Sequence, residues 1–310
     1  MIALRLRTLI IGAGIAGLTA GIELARRGHS VTIMERSTAP RSEGYMIDFF
    51  GAGYDVAEKL GLLDALERIH YQIDHLTFVN AEGEITADLP YPRIREAIFH
   101  GRHFNFMRSD LERVLLATLP HGVEVWWGVT PDSLDVSDDG VVVHGSDGSC
   151  EDFDLVIGAD GVHSSARALA FGPGPTNIVP LQARTVSFIV DHALSGLPAN
   201  AFSSLSVKGM TAGAYPLRGG RMATFFIYRK EGPIPDRSAQ YYGLELEYAF
   251  PATAGGVSTS CWMRSRMTGR CTSTKWCRSR CRAGPRVLSY CWVTPAAVYH
   301  CWQDRVHPWP

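Results

Sequence analysis

The chain has no long uninterrupted apolar run. Its first apolar stretch is broken by glycines and carries Glu23, Arg26 and Arg27. That is too short and too charged for a signal peptide or a bilayer span, so a soluble, cytoplasmic protein is expected. An excess of charge of one sign is lacking too: 30 Lys and Arg stand against 31 Asp and Glu, for a net charge of −1. Such a balance gives no reason to expect nucleic acid or an anionic membrane as partner. No Ser-His-Asp set or paired carboxylates are placed for hydrolysis. The 11 histidines are scattered. His100 and His103 flank Arg102, but no third ligand is suggested nearby, so no metal site is expected. Internal repeats and low-complexity linkers are missing before residue 250. Length permits one large domain or two smaller ones.

Residues 8–35 carry the strongest signal. A short apolar run leads into Gly12-x-Gly14-x-x-Gly17, then a helical pattern, then a second apolar run that ends in Glu35. This is the order that a dinucleotide site needs: strand, tight turn, helix, strand, acid. Gly12 allows the turn, Gly14 lets a pyrophosphate approach the backbone, and Gly17 lets the helix pack close to the sheet. The helix N-terminus points N–H groups and the positive end of its dipole at the phosphates. Glu35 follows at about the 20-residue distance at which a carboxylate accepts the ribose hydroxyls. The motif alone does not choose between NAD(P) and FAD.

Two further clusters follow. In FNFMRSDLERVLLATL, residues 104–119, Ser109 or Asp110 is expected to cap a helix with the stripe Leu111, Val114, Leu115 and Thr118. Arg108 stands just ahead of that helix start. A cation is unfavourable there by the dipole argument, and a bound anion nearby would account for it. In FDLVIGADGVHSSAR, residues 153–167, a strand runs into Gly158-Ala159-Asp160-Gly161, with Ser164 and Arg167 on a helix behind it. Asp160 at a strand end suits hydrogen bonding to a hydroxyl chain; an Asp-Gly turn is the plainer reading.

The rest of the body reads as alternating elements. Residues 51–69 give a helix ending at Gly61-Leu62-Leu63 and a second short one. Residues 72–88 alternate around Glu82-Gly83, a hairpin signal. A strand is expected over 135–144 with a turn at Asp138-Asp139-Gly140. Two or three more strands are expected over 184–230, with a turn at Gly219-Gly220.

Taken together, the glycine motif with Glu35, the Arg108-Ser109-Asp110-Leu111 segment and the Gly158-Ala159-Asp160-Gly161 segment resemble the FAD-dependent aromatic monooxygenase family. This is the p-hydroxybenzoate hydroxylase type, which includes polyketide and tetracycline hydroxylases. The resemblance covers residues 5 to 250. It implies an α/β fold: a three-layer, Rossmann-like FAD-binding domain with an inserted, mainly antiparallel β-sheet. That sheet would lie over the flavin and wall the substrate pocket. The domains implied are 1–71 with 101–180 for FAD, 72–100 with 181–250 for substrate, and 251–310 as an aberrant tail. The cofactor-binding set implied is Gly12, Gly14, Ile15, Ala16, Gly17, Glu35, Arg36, Arg41, Arg108 and Asp160. The glycines would hold the FAD pyrophosphate and Glu35 the adenosine ribose. Arg108 would lie along the cofactor, and Asp160 would touch the ribityl-pyrophosphate region. Arg41 and Gly44-Tyr45-Met46-Ile47-Asp48 resemble the segment that passes near the isoalloxazine. The activity implied is hydroxylation of an aromatic or polyketide-like substrate through a flavin hydroperoxide, with O2 and NADPH or NADH. The cofactor carries that chemistry, so no catalytic side chain is singled out.

The tail breaks this picture. Cysteine occurs once before Pro251, at Cys150, and six times after it, at Cys261, Cys271, Cys277, Cys281, Cys291 and Cys301. Five of the seven tryptophans lie there, with a single acid, Asp304. No C-x-x-C pair marks a zinc module, and a cytoplasmic protein would not oxidise these thiols. The segment shows no periodicity and is expected to be irregular. Where the family carries a strand, Gly-Asp-Ala and a Gly-x-Gly helix start, this reading frame has none. Reading each codon from the third base of one residue and the first two of the next restores them. Tyr290 to Val293 forces Leu-Leu-Gly, and Val293 to Pro295 permits Asp-Ala. His300 to Gln303 forces Leu-Leu-Ala, and Gln303 to Val306 permits Gly-Gln-Gly. A frameshift near Pro251 is the reading expected. Two alternatives stand beside the hydroxylase: an inactive or flavin-poor remnant of it, and an NAD(P)-dependent dehydrogenase that uses the first motif alone. The second motif argues against the dehydrogenase.

Overall fold

The computed structural model describes residues 5–41, 44–172, 178–194, 196–232, 245–246, 272–279 and 287–289. In chain order the elements begin with β1 (Arg7–Ile11), α1 (Ile15–Arg26) and β2 (Ser30–Glu35). Next come β3 (Met46–Phe50), α2 (Ala52–Lys59), α3 (Leu63–Ile69), β4 (His75–Val79), β5 (Ile85–Pro90), α4 (Tyr91–Phe99) and β6 (His103–Met107). They continue with α5 (Arg108–Ala117), β7 (Glu124–Trp127), β8 (Pro131–Val136), β9 (Val141–Gly145), β10 (Cys150–Phe153), β11 (Leu155–Gly158) and α6 (Ser165–Phe171). The last are β12 (Ile178–Val190), β13 (Ala201–Val207), β14 (Met210–Pro216), β15 (Met222–Arg229), β16 (Thr272–Ser279) and β17 (Val287–Ser289). The chain divides into two units, one of residues 1–41, 111–179 and 277–310, the other of 42–110 and 180–276.

The first unit is layered. Its parallel sheet runs β17-β11-β1-β2-β7. Strands buried on both faces read as continuous apolar runs, and β1 is buried at every residue but Arg7. The period of two splits its side chains between the faces. Leu9 and Ile11, with Met34 from β2, pack into a cluster with Val141, Val143 and Phe153 of the antiparallel sheet β10-β9-β8. Ile10 and Ile33 point the other way, against α1, which buries Gly17, Leu18, Gly21 and Ile22 on one stripe. Helix, parallel sheet and antiparallel sheet make the three layers that the sequence implied.

The second unit is built on a sheet in the order β16-β12-β15-β14-β13-β4-β5. β13 and β4 pair in parallel, while β12–β15, β15–β14, β14–β13 and β4–β5 pair antiparallel. Alternation again sorts the faces. Val186, Phe188, Phe226 and Tyr228 fill one cluster, and Ile189, Ala223, Phe225 and Tyr215 belong to the other. β3 and β6 pair as a separate ribbon.

Several expectations change. Residues 42–71 and 101–110 fall with the second unit, not with the cofactor-binding part. Four strands, not two or three, occupy 178–229. α4 lies in the 72–100 stretch, for which only the hairpin over 72–88 is expected; its start at Tyr91-Pro92 uses proline where the missing N–H costs nothing. α5 opens at Arg108, so Ser109 and Asp110 sit inside its first turn, not at the position that precedes the helix. The cause is that β6 runs into the helix without a loop, and the Arg108 N–H is already bonded to the Tyr45 carbonyl at 2.9 Å. The tail is not wholly irregular: β16 joins the seven-stranded sheet, and β17 pairs with β11 through Val156–Val287 to Gly158–Ser289. The tail cysteines outside 272–279 lie outside the described residues, and so does the segment 290–310 on which the frame comparison rests.

Candidate cofactor site

The site grows out of the turn between β1 and α1. Gly12 has φ +108°, which L side chains rarely adopt, and its N–H donates to the Met34 carbonyl at 2.7 Å. A Cβ placed there would stand 2.7 Å from the Ala159 carbonyl oxygen and 2.9 Å from the Asp160 Cα. The first and second sequence motifs therefore touch backbone to backbone. Gly17 is tighter still: a Cβ there would meet the Gly12 carbonyl oxygen at 1.8 Å. Gly14 is the N-cap of α1 and offers no side-chain cap, and the first turn holds no acid. The amides of that turn have no intrahelical acceptor, which leaves them to an anion or to water.

Glu35 ends β2 beside this turn, 7% exposed. Its Oε2 accepts the Ala13 N–H at 2.8 Å and its Oε1 the Ser37 N–H at 2.9 Å, with Arg41 Nη2 at 3.7 Å. Burial pushes the carboxyl upward, but the Ser37 and Ala13 amides and the Arg41 charge outweigh it and hold the group below its ordinary range. The result is an oriented carboxylate with lone pairs left for sugar hydroxyls. A shallow, open groove runs past it, lined by Ala13, Gly14, Leu18, Glu35, Ser37, Ala39, Pro40, Arg41, Glu112, Leu116 and Trp127.

Asp160 divides its two oxygens. Oδ2 accepts the Ser165 N–H at 2.6 Å, the Ser165 hydroxyl at 3.0 Å and the Ala166 N–H at 3.1 Å, all at the start of α6. Oδ1 is buried without a hydrogen-bond partner. Ser164 is the N-cap of that helix and accepts the Arg167 N–H at 2.9 Å. Asp160 is thus fixed by the helix it helps to start, with one buried acceptor still to be satisfied.

Of the residues singled out from sequence, Gly12, Gly14, Ile15, Ala16, Gly17, Glu35, Arg41 and Asp160 gather in the first unit around the turn. Arg36 is exposed and does not line the groove. Arg108 belongs to the second unit. Ser37 and Trp127 were missed. Ser37 acts on Glu35 through both its amide and its side chain, two residues past the end of β2, and Trp127 reaches the groove only because β7 pairs with β2 at Glu35–Trp127.

This geometry suits FAD: bare amides at a helix start for the pyrophosphate, an ionised acceptor for the ribose, and an orphaned buried oxygen on a second strand end. Residues 5–215 match the family described as FAD binding domain. An FAD-dependent monooxygenase, asL4 of Sarocladium schorii, is 33% identical over 181 residues, which are 57% of this chain and 42% of that protein. The 3-amino-4-hydroxybenzoate 2-monooxygenase PtmB3 of Streptomyces platensis is 32% identical over 174 residues, 55% of this chain and 43% of its own. The chain spans about half the length, or less, of the curated relatives it matches. Among solved structures, tetracycline destructase Tet(55) aligns with TM-score 0.77 at 21% identity, over 93% of this chain and 74% of that one. Klebsiella pneumoniae HpxO, solved with FAD and uric acid, aligns with TM-score 0.74 at 21% identity, over 91% and 72%. These two likenesses speak to the fold. The family match takes in more than half of the chain, and the protein belongs to the FAD binding domain family.

Proposed function

We propose that this protein hydroxylates a small aromatic or polyketide-like substrate, with FAD as cofactor and O2 and NADPH or NADH as co-substrates. The observation that carries the reading is the convergence of Gly12 with Ala159 and Asp160, which brings two separate cofactor motifs to one place. FAD, when bound and reduced, supplies the activation of O2. The chain's own residues bind and orient. The α1 amides take the pyrophosphate, Glu35 takes the adenosine ribose with Arg41 at its side, and Asp160 Oδ1 takes a hydroxyl of the ribityl region. A dehydrogenase is not favoured, since the family match and the Asp160 strand end both go beyond a single glycine motif.

The composition break at Pro251 supports a second element of the reading: the residues that follow are out-of-frame translation. β17 lies beside β11, just ahead of Tyr290, where the shifted frame begins to spell Leu-Leu-Gly. The motif that should follow that strand is lost, so this chain retains FAD weakly and couples oxygen use to hydroxylation poorly.

The test is to sequence the gene around codon 251 and to express the chain and its frame-repaired form side by side. Flavin absorbance after purification and product formation from a panel of phenols and polyketide aromatics are then measured. The repaired form is expected to hold FAD and hydroxylate. Tight FAD and coupled hydroxylation by the unrepaired chain would refute the frame reading. A repaired chain without flavin would refute the hydroxylase reading.

A further inference from the structure

A second recess lies at the end of the first unit's parallel sheet opposite the cofactor turn. Gly12 follows the last residue of β1 and Glu35 ends β2, whereas Arg7 opens β1, Ser30 opens β2 and Glu124 opens β7. The strands run parallel, so the two places stand a strand's length apart, roughly 13 Å. The recess is a cleft of about 220 Å³ lined by Arg7, Ser30, Thr32, Glu124, Trp126, Glu151 and Phe153, with Val31 and Gly122. Register sets Arg7 beside Ser30 and Thr32 beside Glu124. The period of two turns all four, and Trp126, to the face on which Leu9 packs with Phe153 of β10.

Acids outnumber the base in this cleft. Arg7 Nη1 donates to Asp152 at 2.6 Å and Nη2 to Glu151 at 3.0 Å, while the Arg7 amide donates to Asp154 at 2.7 Å. The guanidinium stands 5.5 Å from the centre of the Phe153 ring. Its charge is already answered twice. Glu124 is different: among the described residues it has no ion-pair partner, and its Oε2 accepts the Trp126 Nε1–H at 3.3 Å. The Ser30 and Thr32 hydroxyls have no hydrogen-bond partner among the described residues either. Trp126 is half-buried and meets the Phe153 ring edge-on, 6.4 Å away at 61°. A carboxylate without a cation, two hydroxyl acceptors on the next strand and an aromatic wall suit an ammonium group on a short apolar body. Its N–H groups donate to Glu124 and the hydroxyls, and its body lies along Trp126. An anion would meet Glu124 and Glu151 with Arg7 already taken.

We infer that the cleft at the starts of β1, β2 and β7 is a binding site for a small primary ammonium ion, with Glu124 as its charge partner. The site is separate from the cofactor groove and owes nothing to the hydroxylase reading. Glu124 is exposed, so water screens the pair. The charge contributes only a few-fold in affinity, and that contribution fades as salt rises.

The Trp126 indole N–H donates to Glu124, so its NMR signal reports on that carboxylate. The experiment follows this signal in the full chain, assigned by its loss in Trp126→Phe, during titrations with butylamine, 1-butanol and butyrate at neutral pH. Butylamine is expected to shift the signal and to bind up to about fivefold tighter than butanol. Butyrate is expected to leave the signal where it is. In Glu124→Gln, whose melting profile shows whether it folds, the amine is expected to lose its advantage over the alcohol. In the unaltered chain the same advantage is expected to close at about 1 M salt. A Trp126 signal that the amine does not move, or that butyrate moves equally, overturns the site. So does an amine preference that survives in folded Glu124→Gln. The salt series decides the matter if Glu124→Gln does not fold: a preference unchanged at high salt rules out a charge partner.

Discussion

Gly17→Ala is the sharpest single probe of the cofactor turn. The new Cβ would lie 1.8 Å from the Gly12 carbonyl oxygen and 3.3 Å from Ile10 Cγ2. The first of these is backbone, so no rotamer change relieves it. A carbon–oxygen contact needs more than 3 Å, so α1 must move off the turn by over an ångström. That shift reopens the packing of Leu18 and Ile22, both 1% exposed or less, against the parallel sheet. Overpacking of this kind costs about 3 kcal/mol or somewhat more. At ~2–4 °C per kcal/mol for a domain of this size, the melting temperature falls by roughly 6–12 °C. Gly28→Ala is the control. Its φ is +91° but its Cβ meets nothing within 4 Å, so it carries only the backbone strain of about 1–2 kcal/mol. Thermal melts by circular dichroism and flavin content after purification are read for both. A Gly17→Ala protein that melts no lower than Gly28→Ala, with unchanged flavin, would refute the close-packed turn.

Three further outcomes are expected. Glu35→Ala weakens FAD binding by about 1–3 kcal/mol, since the ribose hydroxyls lose a charged acceptor; equal affinity in a flavin titration contradicts the role. His70 is held below its ordinary pKa by burial, and its Nδ1 accepts the Asn105 N–H at 2.8 Å, which a protonated ring does not do. The unfolded chain takes up that proton below about pH 6.5 while the folded one resists, so stability falls with pH from there by up to ~1.4 kcal/mol per unit, and urea melts of His70→Gln lose that slope. Burial raises the Asp48 carboxyl, but His103 and the Tyr215 and Tyr91 hydroxyls outweigh it, so its folded pKa lies below the ordinary value. Its contribution is present above the ordinary carboxylate range and fades as pH drops through the lowered one. Melting of Asp48→Asn against pH is expected to be flatter than wild type in that acid window, and an identical profile counts against those hydrogen bonds.

Some of this protein was legible in the residues alone. β1 and β2 read as continuous apolar runs because a strand buried on both faces has no polar side. Gly12, Gly14, Gly17 and Glu35 stand at intervals set by the turn and the crossover helix, which are local geometry. The hairpin at Glu82-Gly83 and the turn at Gly219-Gly220 announce themselves by the positive φ that glycine tolerates; Gly83 has +84° and Gly219 +79°. α4 was not expected, although Pro92 in its first turn and Tyr91, Ile94 and Ile98 at helical spacing are written in the sequence. Other features were decided by packing across long stretches of chain. Asp160 meets Gly12 only once β11 lies beside β1. Tyr215 and Asp48 are 167 residues apart in sequence, and nothing near either residue indicates the other. β17 finds β11 through backbone hydrogen bonds, which depend little on side chains. Sequence determined the elements whose period or turn chemistry is written within a few residues; tertiary structure decided which carboxylates are buried and pinned, because burial and partners come from the sheets that enclose them.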